Sequence, residues 1–258
     1  MLKKRIIPKF LIRGGRLVKM RRFTDDQREA GNPVSTAKVY DSYGVDELIF
    51  VDIDASAEGR VVAGSIIERV AEEVFVPLTA GGGVRTLAQI ESLLKSGADK
   101  VSINAAAIAD PAFVTQAASR FGDQCIVVSI DYRADEFGAK RVHGHGGSVA
   151  TSHDPVEFAL RMQDLHAGEI LMTSIDRDGT MSGYDLDMIH ALADRLDIPL
   201  IASSGAGSLD DCKAALEAGA SAITISSMFI FTDHSPIKVR TYLASNGVHV
   251  RNQKGSRS

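Results

Sequence analysis

The chain has 258 residues, 45% hydrophobic and 24% charged, with a formal net charge of −4. That balance suits a soluble globular protein, argues against a broad basic nucleic-acid surface, and includes no apolar run near the roughly 20 residues of a membrane helix. The basic start MLKKRIIPKF has too short an apolar run for a signal peptide, so a cytoplasmic protein is expected.

Taken in order, apolar runs of strand length alternate with stretches whose apolar residues recur at helical spacing. Strands are expected at Arg5–Leu11, Leu48–Ile53, Val76–Ala80, Lys100–Ile103, Ile126–Asp131, Glu169–Ser174, Pro199–Ser203 and Ala222–Ser226. Helices are expected at Pro33–Tyr43, Val62–Val74, Leu87–Leu94, Pro111–Phe121, Pro155–Leu165, Asp185–Leu196, Leu209–Leu216 and Pro236–Ala244. Strict alternation predicts a parallel sheet with helices outside. Eight units, with no linker and no shift in composition, favour a closed (β/α)8 TIM barrel over an open doubly wound sheet. One domain is expected over residues 1–250, with a polar, disordered tail at 251–258. Cys125 and Cys212 lie in apolar or helical patterns and read as buried free thiols.

Three connections stand out. Ile12–Asn32 is long and polar, with Gly14, Gly15 and Gly31, and reads either as a lid or as a flexible excursion. Tyr132–Ser152 alternates like a small hairpin and carries His143 and His145. An HxH pair alone reads better as a solvated loop than as a metal site, and no metal is expected. The stretch IDRDGTMSGYD is dense in Asp and Gly, which turns alone can require.

The stretch Ala80–Ala107 returns at Ala202–Phe229 without a gap, an offset of 122 residues. Gly83 falls on Gly205, Leu87 on Leu209, Leu94 on Leu216, Gly97 on Gly219 and Ala98 on Ala220. Carried backward, the same offset places Glu47 on Glu169 and Asp54 on Asp176. A barrel made of two similar half-barrels accounts for such a repeat. Each copy sets glycines where a strand meets a helix, a place where backbone N–H groups and the helix dipole favour an anion. Gly81, Gly82 and Gly83 serve one half, and Ser203, Ser204, Gly205 and Gly207 the other. Asn104 and the pair Ser226–Ser227 end the following strands. Two such sites across one barrel mouth suggest an elongated bisphosphate ligand. Asp131 closes the run IVVSID and is the best acid/base candidate between them, while Leu11 occupies the corresponding place in the first half. Asp52 is a further carboxylate near the mouth. At the opposite end, Arg5, Glu47, Lys100 and Glu169 begin their strands, and read equally as a salt-bridge network or as a gate.

The motifs KRIIP, DELIFVDIDAS, PLTAGGGVR, GADKVSINAAA, FGDQCIVVSID, HAGEILMTSIDRDGTMSGYD and IASSGAG together resemble the cyclase subunit of imidazole glycerol phosphate synthase, the HisF family, over nearly the whole chain. The resemblance implies a half-barrel-duplicated (β/α)8 fold and a heterodimer with a HisH-like glutaminase that supplies ammonia. It implies phosphate contacts at Gly83 and Asn104 on one side, and at Asp178, Gly179, Gly205, Ser226 and Ser227 on the other. It implies a general acid/base at Asp131, an ammonia gate at Arg5, Glu47, Lys100 and Glu169, a partner-facing Asp99, and no cofactor.

The departures from the pattern bear on activity. The family has Cys-Leu-Asp where this chain has Lys9-Phe10-Leu11, so a second catalytic carboxylate is absent. A phosphate-assisting threonine is replaced by Ala105, and a glycine pair has become Ser204-Gly205. Loss of a positioned acid/base costs about 10²–10⁴-fold in rate. The pattern is similar to HisF-like paralogues that serve acetamidino modification of surface-polysaccharide sugars. That implies a separate sugar amidotransferase as a further partner and a phosphorylated small molecule or nucleotide sugar as substrate. A working cyclase of histidine biosynthesis, and a non-catalytic docking scaffold for the glutaminase, are the alternatives.

Overall fold

The computed structural model describes residues 3–24 and 27–251. The expected tail at 251–258 therefore lies, from residue 252 on, outside the described residues. Strand β1 (Arg5–Arg13) runs into a hairpin of β2 (Arg16–Met20) and β3 (Gln27–Gly31), followed by helix α1 (Pro33–Ser42). Next come β4 (Leu48–Asp52), α2 (Gly64–Ala71), β5 (Leu78–Gly81), α3 (Leu87–Lys95), β6 (Lys100–Ile103), and the helices α4 (Ala105–Ala109) and α5 (Ala112–Phe121). Strand β7 (Ile126–Ala134) leads into a second hairpin arm, β8 (Lys140–Gly144) and β9 (Val149–Ala150), and then α6 (Pro155–Asp164). The chain closes through β10 (Glu169–Ser174), α7 (Leu186–Ala193), β11 (Leu200–Ser203), α8 (Leu209–Glu217), β12 (Ala222–Ile225), α9 (Ser227–Phe231) and α10 (Pro236–Ser245).

Eight parallel strands pair in the cycle β1–β4–β5–β6–β7–β10–β11–β12 and back to β1, so the sheet is a closed barrel. Because side chains alternate between faces, each strand feeds two cores. The outward set, with Ile6, Phe50, Val128, Ile170 and Ile223, packs under the helices. The inward set forms a separate apolar plug of Ile7, Ile49, Val127, Leu171, Ile201 and Ala222 across the lumen. This plug divides the barrel into a lower end, where the strands begin, and an upper mouth.

The two halves repeat in detail. Thr86 caps α3 with Gln89 in a capping box, and Ser208 caps α8 with Asp211 in the same way. Asn104 and Ser226 share an unusual backbone, at φ −125°, ψ −81° and φ −139°, ψ −75°, and each opens a five-residue helix. The sequence pattern does not distinguish those helices, α4 and α9, from the ends of the strands before them.

The described residues of the long connection after β1 begin with an antiparallel hairpin, in which Leu11 pairs with Val18 and Arg13 with Arg16. Gly14 and Gly15 turn it with φ of 55° and 76°, the two left-handed residues that a tight hairpin turn demands. Strand β1 is therefore two residues longer than its apolar run suggests. Strand β7 extends to Ala134 for the same reason, because Tyr132 and Arg133 pair with Val142 and Arg141 of β8. Both cysteines are free; Cys212 is buried, but Cys125 is partly exposed.

Loss of one capping oxygen costs about 1 kcal/mol. Thr86→Ala and Ser208→Ala are each expected to lower stability by that amount in urea titrations, and the double variant by about twice as much, since the two caps share no partner.

Candidate functional site

The upper ends of the strands enclose a cavity of about 300 Å³, and beside it a narrow cleft of about 20 Å³. Gly83, Asn104 and Asp131 line the larger cavity. Asp178, Gly179, Gly205, Ser226 and Ser227 line the cleft. The barrel thus gathers the two groups of predicted phosphate residues on two sides of one mouth. Lys9 and Leu11, both inward on β1, line the two spaces together.

The glycines here answer to packing as well as to any ligand. A Cβ on Gly83 would meet the Arg60 carbonyl oxygen at 1.9 Å, and one on Gly205 would meet the Gly183 carbonyl oxygen at 2.1 Å. Ser204 stands where the first half has Gly82, and takes a left-handed φ of 82° where the glycine has 113°. For a non-glycine residue this costs roughly 1–2 kcal/mol. The Ser204 hydroxyl donates to Asp178 Oδ1 at 3.0 Å, which offsets part of that strain. The other carboxylate oxygen, Oδ2, is buried without a hydrogen-bond partner among the described residues.

Asp131 is 9% exposed. It accepts a hydrogen bond from Ser129 Oγ at 3.3 Å, and Thr173 lies opposite it on the neighbouring strand β10. Burial raises its pKa above the usual carboxylate range, against the pull of Lys9 and the Ser129 and Thr173 hydroxyls. Lys9 Nζ donates to Thr173 Oγ1 at 3.4 Å and to Ser203 Oγ at 3.2 Å. Burial lowers the pKa of this amine, and Asp131 and Asp178 oppose the shift. Lys19 of β2 is 6% exposed, lines the cleft, and makes no hydrogen bond or ion pair among the described residues. Lys9, Lys19, Asp131 and Asp178 thus bring two amines and two carboxylates into a partly dry part of the mouth, where charge interactions are stronger than in water.

Neither lysine stood out in the sequence. The available signal for Lys9 was a charged residue at an inward position of a strand whose next inward neighbours are Ile7 and Leu11. A lysine turned inward on a barrel strand, half-buried here, is rarely placed without a reason of this kind. Lys19 reaches the cleft only because β2 folds back over the mouth.

Other candidates have local duties. Asn104 donates its side-chain amide to the carbonyls of Ser129 at 3.0 Å and His143 at 3.3 Å. Asp52 accepts from the backbone N–H groups of Asp54 and Ala55, and pairs with Arg60 at 2.5 Å. His143 Nδ1 lies 3.0 Å from the Gly147 carbonyl, and His145 Nδ1 lies 3.3 Å from Ser56 Oγ.

At the lower end, Arg5 Nη1 meets Glu47 at 2.8 Å and Glu169 at 3.0 Å, and Lys100 Nζ meets the same two carboxylates at 2.9 and 3.1 Å. The four charges form a closed, alternating ring around the axis, directly below the apolar plug. Thr79 Oγ1 braces it by donating to Glu47 at 2.6 Å. Asp99 lies beside the ring on the exposed edge and accepts from the Leu78 N–H at 2.8 Å.

Fold and site together define a duplicated (β/α)8 barrel with a charged base, an apolar waist and a polar, glycine-walled mouth. Residues 5–235 match the family described as "Histidine biosynthesis protein", and the chain belongs to that family, consistent with a HisF-like protein. Among the described residues, no helix is long and apolar enough to cross a membrane.

Two outcomes follow from this geometry. Ser204→Ala keeps the strained backbone and strips Asp178 of its donor. It is expected to cost about 1–3 kcal/mol, of which Ser204→Gly recovers about 1 kcal/mol, both read from chemical denaturation. For Asp131, a raised folded-state pKa means that the folded chain holds its proton where the unfolded chain has lost it. Its contribution to stability therefore falls as pH rises through that window and stays low at neutral pH. Asp131→Asn is expected to raise the Tm at neutral pH and to flatten that part of the pH profile, measured by thermal melts from about pH 4 to about pH 8.

Proposed function

We propose that this chain is the barrel subunit of a glutamine amidotransferase complex, in which a HisH-like glutaminase docks on the lower face near Asp99 and feeds ammonia through the axis. The observation that carries this reading is the closed ring of Arg5, Glu47, Lys100 and Glu169 around the lumen. An ion network with its members only 2–16% exposed must open for a molecule to pass, which suits a gate. Above it, the plug of Ile7, Ile49, Val127, Leu171, Ile201 and Ala222 admits neutral ammonia at far less cost than ammonium.

In this reading the mouth acts differently from the cyclase mouth. Leu11 places an alkyl chain where the resemblance calls for a carboxylate, and leaves Asp131 as the single acid/base group of that pair. The function that fits is delivery of ammonia for acetamidino modification of a surface-polysaccharide sugar, by a cytoplasmic complex that includes a separate sugar amidotransferase. A phosphorylated small molecule or nucleotide sugar then occupies the two spaces at the mouth. One observation favours the second reading, a cyclase of histidine biosynthesis: the residues that the family uses for two phosphates line two sides of one mouth.

The readings separate in one assay. The purified chain is given the ribulosyl bisphosphate intermediate and ammonium salt at alkaline pH, with product formation followed by chromatography. The amidination reading expects a rate about 10²–10⁴-fold below that of an ordinary cyclase, with partial recovery in the double variant Lys9→Cys, Leu11→Asp. Ordinary turnover by the unmodified chain overturns it.

A further inference from the structure

Lys9 is the feature that neither the gate nor the phosphate residues explain. Strand β1 and strands β10 and β11 are not neighbours in the barrel, yet Lys9 Nζ bonds Thr173 of β10 and Ser203 of β11. The side chain therefore spans the lumen, above the apolar plug and at the floor of the mouth. Its two hydrogen-bond partners are hydroxyls, and no carboxylate lies within ion-pair distance among the described residues. Leu11, the next inward residue of β1, adds an alkyl chain beside it, and both residues border the cleft and the larger cavity.

The neighbours complete a chemical set. Thr173 stands between them: it accepts from Lys9, and it faces Asp131 across the β7–β10 pairing. A proton thus has a one-hydroxyl path between the amine and the carboxyl group. Desolvation favours the neutral, nucleophilic amine on one side and the protonated acid on the other. The cleft next to the amine has glycine backbone, the hydroxyls of Ser226 and Ser227, and Lys19 to hold an anionic group.

From this arrangement we infer that Lys9 is a nucleophile that forms a reversible imine with a phosphorylated ketone or aldehyde, its phosphate in the cleft and its carbonyl carbon over Nζ. The Nζ lone pair forms the C–N bond while the carbonyl oxygen takes a proton from the Asp131 carboxyl. The C–O bond then breaks, and the oxygen leaves as water. The two amine hydrogens and the carbonyl oxygen make up that water, Asp131 regains its proton by way of Thr173, and nothing is oxidised or reduced. The inference holds whether or not ammonia reaches the mouth from below.

Reductive trapping tests it. The full chain is incubated with dihydroxyacetone phosphate and sodium cyanoborohydride, then analysed by intact mass and peptide mapping. The expected result is one adduct of the probe less its carbonyl oxygen, on Lys9, forming at least about tenfold faster than on any surface lysine, as a desolvated amine should. Excess inorganic phosphate slows it. Lys9→Arg keeps the positive charge but cannot form an imine, so it is expected to bind the probe by calorimetry and give no adduct at position 9. Asp131→Asn is expected to slow trapping by about 10²-fold or more. A wild-type map without Lys9 modification, or with Lys9 labelled no faster than surface lysines, overturns the inference, whether or not the probe binds. That map stands on its own if either variant fails to fold. These outcomes do not depend on any glutaminase, so failure here leaves the ammonia reading to its own assay.

Discussion

Closure of the eight-stranded sheet is the constraint on which everything else depends. Once β12 pairs with β1, each strand has one face toward the helices and one toward a lumen too narrow to stay empty. The period-two alternation then assigns every inward position a height along the axis. On β1 alone, Arg5, Ile7, Lys9 and Leu11 lie at successive levels: a charged ring, an apolar waist, an amine, and an alkyl chain at the mouth. One strand thus samples each layer of the molecule, and a change at any inward residue alters the axis itself.

The layers divide the electrostatics. The lower ring is self-neutralising, with each cation held by both carboxylates. The mouth carries charges of both signs, but among the described residues the amines of Lys9 and Lys19 have no salt bridge, and Asp178 has an unpartnered oxygen. Groups left in that state cost stability unless something compensates them. A phosphorylated ligand would supply acceptors for the amines, and a hydroxyl on the same ligand would donate to Asp178. The strained backbone of Ser204 belongs to the same economy, since its hydroxyl satisfies the other Asp178 oxygen where a glycine would not.

Much of this was legible in the residues. The eight strand–helix units follow from local periodicity, and the repeat of Gly83 at Gly205 implied two matching halves. The capping boxes at Thr86 and Ser208 and the twin backbones of Asn104 and Ser226 agree with it. The hairpin arms were less legible, because β2 and β8 depend on pairing beyond the barrel rim rather than on burial. The turn residues Gly14 and Gly15 were the local sign of the first arm, and the alternation of Tyr132–Ser152 that of the second. The short helices α4 and α9 were not legible at all, since five residues show too little periodicity to stand apart from a strand end.

The eight strand–helix units, their order, the duplication, and the residue types available at the mouth and base follow from the chain alone, because these rest on local periodicity and turn chemistry. Which of those residues meet was settled by barrel closure. It closed Arg5, Glu47, Lys100 and Glu169 into one ring, although they are up to 164 residues apart. It tied the amide of Asn104 to two backbone carbonyls. It also carried Lys9 across the lumen to Thr173 and Ser203, a contact set by barrel closure and inaccessible to any local pattern.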